Sequence, residues 1–465
     1  MLTGFRVAVI GSGPAGFYAT QELLATGVHV DLYDVLPTPF GLVRAGVAPD
    51  HPKIKSVARV FEKTAEHERF RFFGGVEFGV DVQREDLLER YHALIYAVGA
   101  AKDRRMGIPG EDRPGSVAAT AFVAWYNGHP EFADHRFDLS TSRAVVIGNG
   151  NVAIDIARIL IRDPEELAAT DAADHAVAAL SSASVEHVTL VGRRGPAQAA
   201  FTNQELSELG ELSNSDVVVD HDEIALDVHS AVWLESDRAT PAARRNVEVL
   251  REFAEREPRG QPRRIELRFL RSPVEVVGGA DGSVVGLRVA RNRLRPSADG
   301  DLQAVPAGEI DFLECGLVIR SIGYRGAPLP GVPFDEHRGL IRNNGGRVTR
   351  DDGEPLPGEY AVGWISRGPS GVIGTNKKDA VDTVARLVDD AAAGLIADHA
   401  EASADIEAWL RGRVPDLVVW EDWQSIDQHE RALGKGVNRP RVKLVRVPEM
   451  LAVAERARGG ARRTG

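Results

Sequence analysis

The stretch VAVIGSGPAG, Val7 to Gly16, decides the fold of this 465-residue chain, and a related stretch, AVVIGNGNVA, follows from Ala144 to Ala153. Each is an apolar run entering the pattern G-x-G-x-x-G/A, which predicts a strand, a tight turn and a helix. The second glycine lets the backbone approach a pyrophosphate, and the helix N-terminus presents free amides to it. One such pattern alone is equally typical of an ordinary glycine turn. Two of them predict an α/β fold with two Rossmann-like nucleotide-binding domains, each with its own dinucleotide.

The composition is that of a globular protein with two or three domains: 43% of the residues are apolar, 27% are charged, and the net charge is −12. A strand predicted from Phe5 to Ile10 leaves no room for a secretory signal, and we expect a cytoplasmic protein without a membrane span. The single cysteine, Cys315, lies in an apolar run and is expected in the core. It excludes disulfides within the chain and cysteine-ligated clusters. We expect no metal, since no group of His or Cys has ligand spacing. We also expect no nucleic-acid partner.

The residues after the second strand of each unit distinguish the two dinucleotides. Asp34 follows Gly11 by 23 residues, where a carboxylate accepts hydrogen bonds from a ribose. In the second unit a strand from His187 to Val191 ends in GRRG, so that Arg193 and Arg194 take this place. Two guanidiniums can bind a 2′-phosphate that a carboxylate would repel, and the second unit should therefore bind NADP. The alternatives are that Asp34 only belongs to a turn at the end of its strand and that Arg193 and Arg194 are solvated surface residues.

A third glycine-rich turn lies near the end of the chain, in EYAVGWISRGPSGVIGTNKKDAVDTVARLVDD, residues 359–390. A strand predicted from Tyr360 to Trp364 leads through this turn into an amphipathic helix, so the amides of Gly371 to Gly374 should favour a negative charge. A reduced flavin carries such a charge on its pyrimidine edge. The alternative is an ordinary strand-turn-helix.

Two further segments are unusual. The loop from Leu36 to Pro52 has 17 residues without clear periodicity, which is typical of a functional loop, and a helix from Lys53 to Glu66 is predicted after it. Residues 236–271 contain ten Arg and six Asp or Glu, and this segment includes a strand predicted from Ile265 to Leu270. This segment is either a mixed-charge helix or a docking face for an acidic partner.

The chain resembles the adrenodoxin-reductase-like ferredoxin–NADP reductases, and its actinobacterial members above all, from about Phe5 to Asp390, with weaker similarity at NRPRVKL, residues 438–444. The resemblance is carried by GSGPAG (11–16), PFGLVRAGVAPDHPKIK (39–55), FVAWYNG (122–128), GNGNVAIDIARIL (148–160), VGRRGPAQAAFTNQEL (191–206), IRSIGYR (319–325) and VGWISRGPSGVIGTNKKDA (362–380). It implies a flavoprotein whose NADP-binding domain, 106–324, is inserted into an FAD-binding domain formed by 1–105 and 325–465.

The resemblance also implies roles for single residues. The pyrophosphate of FAD would contact Gly11, Ser12, Gly13, Pro14 and Ala15, and a ribose would contact Asp34. Apolar parts of FAD would contact Leu42 and Val82. The flavin would contact Trp364, Gly371, Val372 and Ile373. NADP(H) would contact Asn149, Gly150, Asn151 and Val152 with its pyrophosphate and Arg193 and Arg194 with its 2′-phosphate. His51 and Glu205 would lie toward the nicotinamide and position it or manage protons. Many relatives have Glu in place of Asp34, which alters the reach to the ribose.

The expected activity is hydride transfer from NADPH to FAD, followed by single-electron transfer to a ferredoxin-type iron-sulfur protein that docks transiently through charge. An FAD monooxygenase or oxidase would also use two nucleotide sites, but the sequence reveals no substrate cavity. A non-enzymatic electron-delivery subunit, similar to the small subunit of glutamate synthase, normally carries an N-terminal cysteine cluster, which this sequence lacks.

Overall fold

The structure is a computed structural model that describes residues 2, 4–299, 301–397 and 405–461, with residues 460 and 461 described without their side chains. The chain divides into two compact units. Unit 1 contains the described residues of 1–102, 127–133 and 323–465, and unit 2 contains those of 103–126 and 134–322. The middle of the chain is therefore inserted between two parts of unit 1, as predicted. Residues 127–133 differ from the predicted division: they group with unit 1, where Lys55 and Lys443 bind the side chain of Asn127.

The elements follow in chain order. The first part of unit 1 contains β1 Arg6–Ile10, α1 Pro14–Ala25, β2 His29–Asp34, α2 Leu42–Ala45, α3 Pro52–Lys55, α4 Ala58–Ala65, β3 Phe70–Gly74, α5 Arg84–Leu88 and β4 Ala93–Tyr96. The middle of the chain contains β5 Lys102–Asp103, β6 Ser116–Ala118, α6 Ala119–Tyr126, β7 Arg143–Ile147, α7 Asn151–Ile161, α8 Pro164–Ala168, α9 Asp174–Ser181, β8 His187–Val191, α10 Asn203–Leu209, β9 Ser215–Val218, α11 His221–Ile224, α12 Val228–Glu235, α13 Pro241–Glu255, β10 Arg263–Arg268, β11 Arg271–Gly278, β12 Val284–Pro296, β13 Leu302–Glu314 and β14 Leu317–Arg320, with short 3-10 helices at Pro130–Phe132 and Pro196–Gln198.

The last part of the chain returns to unit 1. It contains β15 Tyr324–Arg325, β16 Phe334–Asp335, β17 Leu340–Ile341, β18 Asn343–Asn344, β19 Arg347–Thr349, β20 Pro355–Ala361, α14 Trp364–Arg367, α15 Thr375–Ala392, α16 Ile406–Arg411, α17 Trp420–Gly436 and α18 Val447–Ala461.

Unit 1 is built on a sheet with the strand order β18-β19-β20-β4-β1-β2-β3. The strands from β20 to β3 are parallel, and β18 and β19 add an antiparallel edge. Val7, Ala8 and Val9 of the central strand β1 are completely buried, as expected for a parallel strand covered on both faces. This arrangement places the end of β1 and the start of α1 at the carboxyl edge of the sheet, where ligands of such folds bind.

Unit 2 repeats the parallel arrangement in a sheet with the order β6-β14-β7-β8-β10-β9. The antiparallel sheet β11-β12-β13 packs against it through a shared apolar cluster that includes Leu287 and Val318. Both phosphate turns therefore lie at the end of a central parallel strand, and the predicted α/β fold with two Rossmann-like units is confirmed.

Three predicted element boundaries are wrong for local reasons. The helix predicted from Lys53 to Glu66 is split at Ser56 and Val57, where the backbone makes i→i−3 bonds, as from Val57 N to Ile54 O at 3.3 Å and from Arg59 N to Ser56 O at 3.1 Å. Strand β10 ends at Arg268, since Leu270 adopts a positive φ of 52°. Strand β20 ends before Gly363, where φ is 75°.

Among the described residues, no helix combines the length and apolar character needed to cross a bilayer.

Candidate functional site

The turn after β1 has the shape that a pyrophosphate requires. Gly11 has a φ of 106°, and a Cβ added to it would lie 2.6 Å from the carbonyl oxygen of Ala97, so only glycine fits. Gly13 is the N-cap of α1, and a Cβ added there would have no neighbour within 4 Å. Open space therefore lies directly before the free amides of the helix, beside Ser12, Pro14 and Ala15. This observation fits a phosphate ligand.

Asp34 ends β2 beside this turn and is already held in place. Its Oδ2 accepts hydrogen bonds from the amide of Ser12 at 2.9 Å and the hydroxyl of Ser12 at 2.5 Å, and its Oδ1 accepts one from the amide of Leu36 at 3.0 Å. Burial raises the pKa of Asp34, although these three donors partly offset the effect. Because a carboxylate has about four acceptor positions, Oδ1 keeps capacity for a ribose hydroxyl. The structure thus brings Asp34 and the phosphate turn together.

Of three further predicted residues, Leu42 and His51 lie in the loop after β2, and Val82 lies between β3 and α5. Leu42 begins α2 and is 38% exposed, which leaves its side chain available to a ligand. His51 is the N-cap of α3 and is buried. Val82, in contrast, is 1% exposed and packs in the apolar core of unit 1. Its burial is fully accounted for by core packing.

The turn after β20 leads from α14 into the 18-residue helix α15, whose N-cap is Gly374. Gly371 and Val372 are exposed, and Ile373 is half-buried against the core. The buried indole Nε1 of Trp364 has no hydrogen-bond partner among the described residues. A flavin edge that accepts hydrogen bonds would satisfy both the amides of this turn and the indole, so these residues fit an isoalloxazine ring.

Sequence reasoning missed Arg367, which holds this turn. Its guanidinium pairs with Asp379, donates to the carbonyls of Gly368 and Ser370, and contacts Asn376 Oδ1 at 3.2 Å. One planar cation thereby ties both ends of the turn to the start of α15. The sequence signal was an arginine directly before the Gly-Pro-Ser-Gly run.

The second phosphate turn, in unit 2, has the same construction. Gly150 is the N-cap of α7, and a Cβ added there would again have no neighbour within 4 Å. Asn149 and Asn151 are fixed from outside the turn: the carbonyl of Asn149 accepts from the amide of Ala200 at 2.7 Å, and Asn151 Oδ1 accepts from the amide of Thr202 at 2.8 Å. The predicted residues Asn149 to Val152 therefore frame an open helix N-terminus.

Arg193 and Arg194 follow β8 with exposed side chains on a fixed backbone. The carbonyl of Arg193 accepts from Asn292 Nδ2 at 2.8 Å, and that of Arg194 accepts from the amide of Leu270 at 3.1 Å. Desolvation and the charge of Arg193 lower the pKa of Arg194, which indicates that the two cations repel each other. A bound dianion would relieve this repulsion, so the pair fits a 2′-phosphate.

Glu205 lies in the first turn of α10 and is 5% exposed. Within unit 2 its carboxylate is 3.6 Å from the guanidinium of Arg158, which also binds Glu208 at 2.6 Å. Arg158 is one of the largest fully buried side chains and was not predicted. Since a cation this deep needs anionic partners, the pair with Arg158 holds the carboxylate of Glu205 in position.

The arginine-rich segment 236–271 is mostly engaged within unit 2. Nine of its ten arginines form hydrogen bonds or ion pairs: Arg238, Arg244, Arg245, Arg256, Arg259, Arg263, Arg264, Arg268 and Arg271. Helix α13 pairs its exposed Arg245 with Glu248 and Glu252. This observation favours the mixed-charge helix over the docking face.

Comparison with known proteins agrees with this geometry. The family model described as pyridine nucleotide-disulphide oxidoreductase matches residues 5–220. The NADPH-ferredoxin reductase FprA of Mycobacterium tuberculosis is 49% identical, with 97% of this chain and 99% of the relative covered. The mitochondrial NADPH:adrenodoxin oxidoreductase of Arabidopsis thaliana is 39% identical, with 97% and 95% covered.

A solved structure supports the same assignment. The structure of M. tuberculosis FprA in complex with NADPH has a TM-score of 0.91 and 48% identity, and the match covers 97% of this chain and 99% of that one. The similarity thus extends over both units, their phosphate turns and the last part of the chain. The chain belongs to the adrenodoxin-reductase-like ferredoxin–NADP reductase family.

Proposed function

We propose that this protein is an NADPH-dependent flavoprotein reductase that transfers hydride from NADPH to FAD and then single electrons to a ferredoxin-type iron-sulfur protein. One observation carries the proposal: each unit presents an open helix N-terminus, and the residues beside the two openings have opposite charge. Asp34 stands beside the first and Arg193 and Arg194 near the second. An anionic carboxylate excludes a 2′-phosphate and a pair of guanidiniums attracts it, so FAD is assigned to unit 1 and NADP(H) to unit 2.

The residues that would hold FAD come from both ends of the chain. Gly11, Ser12 and Gly13 would bind its pyrophosphate, with Pro14 and Ala15 at the start of α1, and Asp34 would accept from its ribose. Trp364 and the amides of Gly371 to Ile373 would meet the flavin. When bound, FAD supplies the redox chemistry that the polypeptide lacks: it takes a hydride and gives electrons singly.

The side chains of the protein then act by positioning. The amides at the start of α15 favour negative charge at the flavin edge, because a helix N-terminus carries partial positive charge. Arg367 holds these amides in place, and Arg158 fixes the carboxylate of Glu205. We assign His51 and Glu205 to positioning of the nicotinamide or to proton handling. Hydride transfer depends on the orientation of the two rings, so the reaction needs no nucleophile from the protein.

Reduction of purified ferredoxins by NADPH tests the proposal. The protein should purify yellow, release FAD on heating, and reduce an iron-sulfur ferredoxin with NADPH faster than it reduces oxygen. A colourless protein that cannot be reconstituted with FAD would overturn the proposal. Rapid oxygen consumption without ferredoxin reduction would instead favour the oxidase alternative.

We also propose that the protein is located in the cytoplasm, which is a reducing compartment. The single cysteine, Cys315, is 3% exposed, and burial raises its pKa to about 12, so it is a core side chain and not a reactive thiol. A protein without disulfides suits a reducing environment. Subcellular fractionation with an antibody would test the assignment, and recovery outside the cytoplasm would contradict it.

A further inference from the structure

Glu430 on helix α17 is a fully buried carboxylate that binds the long loop after β2. It forms a bidentate pair with Arg44 of α2, with N–O distances of 2.8 and 2.5 Å. The same carboxylate is 3.1 Å from Arg441 and accepts from the amide of Leu444 at 2.8 Å. Burial alone would raise the pKa of Glu430, but Arg44 and Arg441 hold it below its ordinary value. The carboxylate is therefore ionised and locks Arg44 to the tail, by which we mean residues 405–461.

Lys443 provides a second buried contact from the tail to the same loop. It is 6% exposed, and its ammonium donates to the carbonyl of Arg44 at 3.1 Å and the carbonyl of Asn127 at 3.0 Å, with Asn127 Oδ1 at 3.4 Å. These three acceptors match the three N–H donors of an ammonium. The tail thus binds Arg44 at both its side chain and its backbone.

Helix α17 also covers the one residue of this loop with a strained backbone. Phe40 has a φ of 84°, which is unfavourable for a residue with a Cβ, yet it is 4% exposed. Its ring meets Trp423 and Trp420 edge-on, at centroid distances of 5.7 and 6.3 Å. Such a conformation persists only where the surroundings enforce it, and here α17 contributes to that enforcement.

The loop segment held in this way lies directly on the phosphate turn of unit 1. The amide of Phe40 donates to the carbonyl of Ser12 at 3.0 Å. Next to it, a Cβ added to Gly41 would lie 2.9 Å from the Cα of Gly13. Movement of residues 40–44 would therefore move the backbone that frames the open helix N-terminus.

We propose that residues 420–444, which we name the tail clasp, lock the loop 40–44 onto the phosphate turn and thereby control how fast FAD is released. This inference rests on the proposed function, since it takes the ligand of this turn to be FAD. Lys443 and Glu430 are positioning residues: they touch the loop, and the loop frames the cofactor. The tail has this role in addition to its packing in the core of unit 1.

The rate of FAD release from holoenzyme tests the tail clasp. Lys443→Met removes all three donors while keeping most of the side-chain volume, and Arg458→Met is the matched control. Arg458 is a tail cation outside the tail clasp, and it pairs with Asp422 at the start of α17 and with the carbonyl of Leu417, neither of which lies in the loop 40–44. Diluted holoenzyme is followed by the rise in flavin fluorescence, and denaturant unfolding of each FAD-free variant reports the purely structural effect. We expect Lys443→Met to release FAD about tenfold faster or more, since hydrogen bonds to a charged group are lost.

Arg458→Met should lower the stability of the FAD-free protein without this acceleration. FAD release from Lys443→Met no faster than from Arg458→Met would overturn the inference. If Lys443→Met does not fold, Lys443→Arg keeps the charge but not the ammonium geometry, and release at the wild-type rate would overturn it equally. Failure of the wild-type protein to bind FAD would refute the proposed function itself, whereas loss of retention in the variants alone would not.

Discussion

Removal of both guanidiniums in Arg193→Ala/Arg194→Ala should convert an NADPH-selective enzyme into one with little preference. The backbone of both residues is held by Asn292 and Leu270, so truncation of the side chains should leave the loop in place. Because the adenosine and pyrophosphate contacts are common to both nucleotides, turnover with NADH should hardly change.

The size of the effect follows from the exposure of the two side chains. A charge-assisted phosphate contact contributes about 1.5 to 3 kcal/mol, and the lower end applies here because Arg193 and Arg194 are exposed to solvent. Two contacts at about 1.5 kcal/mol each give about 3 kcal/mol, or about a hundredfold in affinity.

Steady-state kinetics with a small dye as acceptor measure this prediction, since the dye does not depend on protein docking. The Michaelis constant for NADPH should rise about a hundredfold while that for NADH stays nearly constant. Arg245→Ala/Arg288→Ala is the matched control, because both are exposed arginines of unit 2 paired with neighbouring glutamates. A double variant of Arg193 and Arg194 that keeps the wild-type preference for NADPH would refute these residues as the selector.

Three further predictions concern other parts of the molecule. Gly11→Ala should destabilise the protein by about 1 to 3 kcal/mol in urea unfolding. The φ of Gly11 is 106°, and the new Cβ would lie 2.6 Å from the carbonyl oxygen of Ala97. An unchanged urea midpoint would contradict this steric argument. The pKa of Glu430 is lower in the folded protein than its ordinary value of 4.5. Ionised Glu430 therefore stabilises the fold at pH values above 4.5, and this stabilisation is lost as the pH falls through the pKa of the folded state. Between neutral and acidic pH, Glu430→Gln should therefore lose less stability than the wild type, and equal losses would show that the ion pair contributes nothing. Ferredoxin reduction should slow steeply with salt while dye reduction does not, since only the former requires two charged proteins to meet; salt-independent ferredoxin turnover would indicate an apolar contact.

The sequence predicted those features that are local in the chain. Both phosphate turns, the contrast between Asp34 and the Arg193–Arg194 pair, and the turn before α15 are patterns of neighbouring residues, and the structure places each at the carboxyl edge of a parallel sheet or at a helix N-terminus. What was missed depends on contacts that are distant in sequence. Arg158 binds Glu208 across 50 residues, and Glu430 binds Arg44 across 386. No local pattern reveals such a buried pair, because one charged residue looks the same in sequence whether it is solvated or paired.

The two proposed nucleotide sites differ in how the charges that we assign to selectivity are held, and this difference matches the roles of the two cofactors. Asp34 is surrounded by three donors and lies beside a loop that buried tail residues secure, so its site is built to keep one ligand in place. Arg193 and Arg194 are exposed, and the charge that they carry is accessible from solvent. Exposed charges attract an anion quickly from solvent, and no buried contact has to open before the anion leaves them. A reductase needs both properties: FAD must stay through many turnovers, whereas NADPH must enter and NADP must leave in each one.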